Sequence, residues 1–180
     1  MNKEKMKKIA ILFIVGLLPI LTNAQAFEKY ENMKEVDAMI MTSKMFKMLA
    51  KVDFSEGDED AQQYMRLIEN LDEIRMFTSS NSEVRSEMAR DVESYLNNGS
   101  LEQLMRVNED GKNIKFYSKP GKNEDLVSEL FMFLEGQEDG ELISVILRIT
   151  GDIDLTQLSR LTQDLKVPGA EELNNLDKKS

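Results

Sequence analysis

The sequence predicts an α+β protein with a mostly antiparallel β-sheet of about six strands and with helices packed on one face. Two observations lead to this fold class. Between short alternating segments, apolar residues in the first half of the chain recur at the 3.6-residue spacing of helices. After Gly99 the spacing changes to the period of two that is typical of strands. The predicted order is strand, two helices, strand, helix, four strands and helix.

The first strand is expected to run directly into the first helix. In Val36–Thr42 the side chains alternate in direction, which predicts a strand: Val36, Ala38 and Ile40 point to one side, and Asp37, Met39 and Met41 to the other. Thr42 and Ser43 are suitable residues to cap the N-terminus of a helix. The following residues, Met45–Leu49, place apolar side chains on one side of that helix.

Residues 61–99 predict two further helices with a strand between them. Ala61–Asn70 has helical periodicity, and Ile74–Thr78 reads as a strand. Ser80 followed by Glu83 matches a capping box. The helix that begins there is expected to end near Gly99, because glycine commonly terminates helices.

The second half predicts two hairpins and a final helix. The paired segments are Leu101–Val107 with Asn113–Tyr117, and Leu126–Leu134 with Glu141–Thr150. Asp110-Gly111 gives the first turn and Gly136–Gly140 the second. Both strands of the second hairpin are apolar on both sides, which is typical of strands in the centre of a sheet or under a covering layer. Asp154 is expected to begin the last helix.

The amino-terminal residues predict a secretory signal peptide over residues 1–24. Basic residues precede an apolar run, Ile9–Leu21, and small residues follow at Ala24 and Ala26. As a helix the run would span roughly 20 Å, short of a bilayer core of about 30 Å. We expect residues 25–165 to form a single α+β domain and residues 166–180 to form a flexible tail.

The predicted location is therefore outside the cytoplasm, either periplasmic or extracellular. The chain has no cysteine, so a lipoprotein anchor and disulfides are both excluded. No membrane anchor is expected after signal cleavage. The formal net charge of −10 argues against nucleic acid as a partner, because nucleic acids recruit basic surfaces.

Few catalytic or cofactor chemistries are open to this composition. The sequence has no histidine and no cysteine. Catalytic Ser-His or Cys-His pairs and the usual zinc sites with histidine or cysteine ligands are therefore excluded. No glycine-rich phosphate-binding motif occurs. No catalytic residue and no cofactor is predicted. A carboxylate-dependent hydrolase remains an alternative, because such an enzyme needs only two acids.

One acidic loop partly matches a calcium-binding loop. Glu56–Asp60 has the one-three-five spacing of acids with which such loops begin. However, Ala61 occupies the position that requires glycine, and Leu67 the position that requires glutamate. A solvated acidic loop is the simpler interpretation.

Methionines are concentrated in one short stretch. Of the 12 methionines in the chain, four lie between Met39 and Met48, the other two being Met41 and Met45. Thioethers suit Cu(I), so these four residues are a candidate soft-metal site. Methionine also fills irregular cores and adaptable binding surfaces, and packing is the favoured interpretation.

Several segments together resemble a family of exported proteins of Gram-negative bacteria, domain of unknown function family 4252. The segments that carry the resemblance are Ile40–Phe46, Leu71–Arg75, Leu104–Val107 with Asp110-Gly111, Val127–Leu130 and Thr150–Leu155. The resemblance covers roughly Phe27 to Leu161. It implies a small secreted α+β domain with no assigned activity and a link to envelope signalling or regulation, and it supplies no catalytic residues.

Two of the matched turns carry charges that suggest a structural contact. Ser43 and Lys44 lie at the first strand-to-helix turn, and Gly151, Asp152 and Asp154 lie at the last one. If the two strands are neighbours, Lys44 is expected to pair with these aspartates.

Taken together, these observations favour a non-enzymatic extracytoplasmic module. It would bind another protein or itself through an uncovered sheet face or a methionine-rich surface. Cu(I) binding is the alternative, followed by hydrolysis.

Overall fold

A six-stranded antiparallel sheet organises the part of the chain that the computed structural model describes, residues 26–49, 68–109, 111–124 and 126–154. The strands are β1 Asp37–Thr42, β2 Leu71–Ser79, β3 Glu102–Glu109, β4 Lys112–Pro120, β5 Leu126–Glu138 and β6 Glu141–Asp154. The helices are a 3₁₀ helix Glu28–Asn32, α1 Ser43–Leu49 and α2 Ser82–Asn98. The predicted α+β class and antiparallel sheet are confirmed.

The strand order across the sheet is β1-β2-β6-β5-β4-β3. Strands β3 to β6 form a meander in which each strand pairs with the next, whereas β2 pairs with β6 at the far end of that meander. The two strands that are apolar on both sides, β5 and β6, occupy the centre, as their pattern predicts.

Alternation along the central strands sends side chains into two separate layers. On one side, which we call the helix face, Phe131 and Phe133 pack with residues of α2 and of the 3₁₀ helix. The aromatic rings there are in close contact, with 5.3 Å between the ring centroids of Tyr95 and Phe131 and 5.7 Å between those of Phe27 and Phe131.

The opposite side, which we call the apolar face, is built from aliphatic and methionine side chains. Its buried strand residues include Ile74, Ile114, Leu130, Met132, Leu134, Val145, Leu147 and Ile149. Phe46 of α1 packs in this layer. The described helices are therefore divided between the two faces, whereas the sequence predicts them on one. The reason is that β5 and β6 present apolar side chains on both sides, and each side needs a cover.

Several element boundaries differ from the predicted ones. Asn81, not Ser80, caps α2, because its side chain accepts hydrogen bonds from the amides of Glu83 and Val84. The second hairpin turns at Asp139-Gly140, where both residues have positive φ, 50° and 87°, as in a type I′ turn.

Gly136 consequently has a role different from the predicted one. Gly136 lies within β5, opposite Ile143, and not in the turn. Asp154 is the last residue of β6, and the helix predicted after it lies outside the described residues. The predicted signal peptide, acidic loop, final helix and tail lie outside the described residues, as does most of the predicted helix Ala61–Asn70.

Candidate functional site

One edge of the sheet is formed by β1. Within the described part of the chain, β2 is the one strand that pairs with β1. The outer backbone edge of β1 therefore presents amide and carbonyl groups that a further strand can use. Only six residues long, β1 continues without a gap into α1.

Three exposed apolar side chains lie on β1 and on α1, which follows it. Ile40 is 38% exposed, Met45 44% and Met48 59%. These are three of the five large apolar side chains that are exposed among the described residues; the others, Leu104 and Leu142, lie elsewhere in the sheet. Soluble proteins scatter such residues singly, and a concentration of them marks an interaction site.

We call this region the edge surface: the outer edge of β1 together with the side chains of Ile40, Lys44, Met45, Lys47 and Met48. Both lysines are exposed, so the α1 end of the edge surface is apolar and basic. The arrangement suits an extended peptide that carries apolar and acidic side chains.

The opposite edge, β3, has a different character. Glu102, Arg106 and Glu109 are exposed along its eight residues. Charged side chains on an edge strand discourage pairing with another chain. Leu104 is 37% exposed there, but it stands among these charges. Of the two edges, β1 is therefore the one suited to binding.

The four clustered methionines do not share one environment. Met39 and Met41 are half-buried and pack against the core of the apolar face. Met45 and Met48 are exposed and one helical turn apart on α1. Packing thus accounts for the first pair and leaves the second pair accessible. Among the described residues, no group of three or more acidic side chains is placed to hold a metal ion.

The predicted pairing of Lys44 with Asp152 does not form among the described residues. Strand β2 lies between β1 and β6, which separates Lys44 from Asp152 by two strand spacings of about 4.8 Å each. Asp152 instead forms an ion pair with Lys122, with 2.7 Å between Lys122 Nζ and Asp152 Oδ2.

The turn residues Ser43 and Gly151 also have defined places. Ser43 begins α1. Gly151 has φ +141°, and a Cβ there would lie 2.4 Å from the carbonyl oxygen of Asn70, so the position requires glycine. The role of Gly151 is to let β6 pass close to the start of β2.

A second polar feature lies on the helix face, where Glu129 of β5 and Arg148 of β6 form a buried ion pair. Their side chains are 8% and 14% exposed, and Arg148 Nε lies 3.2 Å from Glu129 Oε1. The hydroxyl of Tyr95 donates to Glu129 Oε1 at 2.5 Å and accepts from Arg148 Nε at 3.2 Å. The three groups hydrogen-bond to one another, as buried polar groups require.

The pKa directions in this triad follow from burial and pairing. Burial raises the pKa of the Tyr95 hydroxyl, and its hydrogen bond to Glu129 raises it further. Burial works against the charge of Arg148, but attraction to Glu129 and hydrogen bonds to Glu129 and Tyr95 outweigh it, so the pKa of Arg148 lies above its ordinary value. At neutral pH the triad therefore holds a neutral phenol and a charged guanidinium.

Sequence reasoning missed this triad, although a signal was available. Arg148 and Glu129 are lone charges within long apolar runs, and a charge in a central strand needs a partner. With the turn placed at Asp139-Gly140, Arg148 falls opposite Phe131, next to Glu129 along the same face. The broader predicted turn, Gly136–Gly140, left that register undetermined.

The triad forms the floor of an open cleft of about 400 Å³. The described residues that line it are Tyr95, Asn98, Gly99, Ser100, Leu101, Lys119, Glu129 and Arg148. The cleft thus lies where α2 ends and the chain turns towards β3.

The fold and these surfaces define a small α+β sheet protein in which, among the described residues, β1 is an edge strand with exposed apolar side chains and a polar cleft lies on the helix face. In the described ranges, no helix has the length and apolar character needed to cross a membrane. The chain matches the family described as Domain of unknown function (DUF4252) over residues 30–161. It therefore belongs to that family, as the resemblance implies. No curated protein and no solved structure matches the chain.

Proposed function

We propose that this protein is a non-enzymatic extracytoplasmic module that binds an extended segment of a partner protein along the edge surface. The observation that carries the proposal is that three exposed apolar side chains lie within nine residues on β1 and α1, and that, among the described residues, β1 is paired along one side only. Strand addition would give affinity through backbone hydrogen bonds and specificity through the flanking side chains.

The side chains of the edge surface indicate the chemistry of the partner. Ile40, Met45 and Met48 offer apolar contacts, and methionine adapts its shape to different partners. Lys44 and Lys47 favour acidic residues at the α1 end of the bound segment. The signal-like amino terminus supports a location in the cell envelope or outside the cell, and the absence of histidine and cysteine supports a role without catalysis.

The test compares two matched variants. Ile40→Lys places a charge on the β1 edge, and Leu104→Lys makes the same change at a residue of nearly equal exposure on β3, 38% against 37%. Envelope proteins captured by cross-linking to each variant are quantified by mass spectrometry. We expect Ile40→Lys to lose the enriched partner by at least about tenfold, and Leu104→Lys to retain it.

Hydrogen exchange then locates the contact. On binding, the backbone amides of β1 should become protected, because strand addition pairs them. Equal loss of the partner in both variants, or protection confined to other strands, would contradict the proposal. Light scattering that shows a dimer abolished by Ile40→Lys would identify a second copy of this chain as the occupant instead.

Cu(I) binding is a second candidate, supported by the exposure of Met45 and Met48 on successive turns of α1. Two accessible thioethers at this spacing can reach one soft ion. A Cu(I) titration of the wild type against Met45→Leu/Met48→Leu tests it, with Met39→Leu/Met41→Leu as the control pair. Indistinguishable affinity in all three proteins would remove this candidate.

A further inference from the structure

We propose that the cleft beside the C-terminal end of α2 binds a small ligand that carries a single carboxylate. The cleft measures about 400 Å³, which lies within the range of about 300–1,000 Å³ for small-molecule sites. It lies on the helix face, built from α2 and β4 to β6, so this site is independent of the edge surface.

The charge of the cleft differs in sign from that of the chain. Among the described residues that line it, Lys119 and Arg148 are cationic and Glu129 is anionic, which leaves one positive charge in excess. The whole chain carries a formal charge of −10. Because a concave site concentrates its local field, an anion is drawn to this cleft in spite of the acidic chain.

The guanidinium of Arg148 is held in a fixed orientation and retains donors. Its Nε hydrogen-bonds to the Tyr95 hydroxyl, and its Nη2 donates to Glu129 Oε2 at 3.3 Å. Nη1 makes no hydrogen bond within the part of the chain that the structure describes. A planar guanidinium fixed on one side by its own partners is ready to bind a carboxylate on the other.

Two carbonyl groups in the last turns of α2 are occupied by hydrogen bonds. Carbonyl groups at a helix C-terminus repel anions when they lack partners. Here the carbonyl of Ser94 accepts from Asn98 Nδ2 at 2.9 Å, and that of Tyr95 accepts from Gly99 N at 2.9 Å. Ser100 adds to the lining a hydroxyl that can donate to an anion.

The excess of one charge sets the class of ligand. Lys119 and Arg148 carry two positive charges and Glu129 carries one negative charge, so a ligand with a single negative charge brings the net charge of the cleft to zero. A doubly charged phosphate would leave a negative charge uncompensated next to the buried Glu129 carboxylate, which is unfavourable. A carboxylate is planar and has two oxygens that match the guanidinium fork.

The experiment titrates isotope-labelled protein with N-acetylalanine and follows the backbone amides by NMR at constant ionic strength. N-acetylalanine amide is the neutral control ligand, and inorganic phosphate is the dianionic one. We expect saturable shifts at Gly99, Ser100 and Leu101 with the acid and none with the amide. Phosphate should bind more weakly than the acid.

Two lysine variants provide the matched protein control. Lys119→Gln removes the cleft cation, and Lys115→Gln makes the same change on the same strand and face, four residues away and outside the cleft. We expect the first to raise the dissociation constant of N-acetylalanine by about fivefold and the second to leave it unchanged. Shifts that do not saturate, equal shifts with the amide, equal effects of the two variants, or tighter binding of phosphate would each overturn the proposal.

Discussion

The two faces of the sheet are both buried, yet they are held by different forces. On the apolar face, aliphatic and methionine side chains of adjacent strands contact one another, and the one charged residue that is buried among the described ones, Glu129, lies on the other face. On the helix face, aromatic rings surround the buried Glu129–Arg148 pair and the Tyr95 hydroxyl. One face gains stability from burial alone, and the other also depends on directional contacts.

This difference predicts how each face tolerates change. Cores that depend on burial accept volume-conserving substitutions. A buried ion pair accepts the loss of both partners far better than the loss of one. Four measurements can break or sharpen the contrast.

Arg148→Met should have the largest effect. It leaves the Glu129 carboxylate buried without its cation, which costs about 3–5 kcal/mol of unfolding free energy. The double variant Arg148→Met/Glu129→Leu should recover most of this loss, as measured by urea unfolding. If the double variant is no more stable than Arg148→Met, the loss of stability does not come from an unpaired Glu129 carboxylate. The proposed difference between the two faces would then be wrong.

Met132→Ala tests the apolar face at its centre. Met132 is fully buried, so truncation should cost about 2–4 kcal/mol through lost burial and the cavity left behind. Met132→Leu, which nearly conserves volume, should cost less than about 1.5 kcal/mol. Both losses should be independent of pH. A large loss in the leucine variant would show that this face also depends on specific shape.

Tyr95→Phe tests the directional contacts through pH. It should cost about 1 kcal/mol at pH 7. In unfolded chains tyrosine ionises at about pH 10, whereas the pKa of Tyr95 is raised in the folded protein. The stability gained from the neutral hydroxyl is therefore complete below about pH 10 and is lost as the pH rises above it.

The wild type should accordingly lose stability more steeply than Tyr95→Phe above about pH 10, so that the two unfolding curves converge. The measurement is denaturant unfolding at a series of pH values. A difference that stays constant with pH would show that the hydroxyl acts only through packing.

Lys29→Met should have the smallest effect. Its Nζ lies 2.5 Å from Glu87 Oε1 and 2.6 Å from Asp91 Oδ2, but the side chain is 44% exposed. Such surface pairs contribute between about 0 and 1 kcal/mol and are weakened by salt. Thermal unfolding at low and high salt measures this term. A loss comparable to that of Arg148→Met would remove the distinction between the rim and the interior of the helix face.

Local features of the fold were predictable from local patterns. The apolar character of β5 and β6 on both sides predicts their central place, and Asp110-Gly111 and Gly99 mark the first hairpin and the end of α2. The cap at Asn81 in place of Ser80 is a shift of one residue between two suitable side chains.

Features that depend on strand order were not predictable in this way. No pattern in the sequence around β2 indicates that it pairs with β6. The expected contact between Lys44 and Asp152 was wrong because it required β1 and β6 to be neighbours. The Tyr95–Glu129–Arg148 triad also needs the register of the second hairpin and the position of α2 together. The edge surface was predicted only in part, because periodicity alone does not tell which methionines are buried.

The pairing of β2 with β6 has a consequence for the order of events in folding. Ile74 is partnered by Ile149, whereas β3 to β6 pair with their nearest neighbours along the chain. Contacts between distant residues form more slowly than local ones, because a longer loop must close first. Strands β1 and β2 come first along the chain, but they join the other strands of the sheet only through β6, residues 141–154. We therefore expect the seam between β2 and β6 to be the last part of the sheet to close during folding.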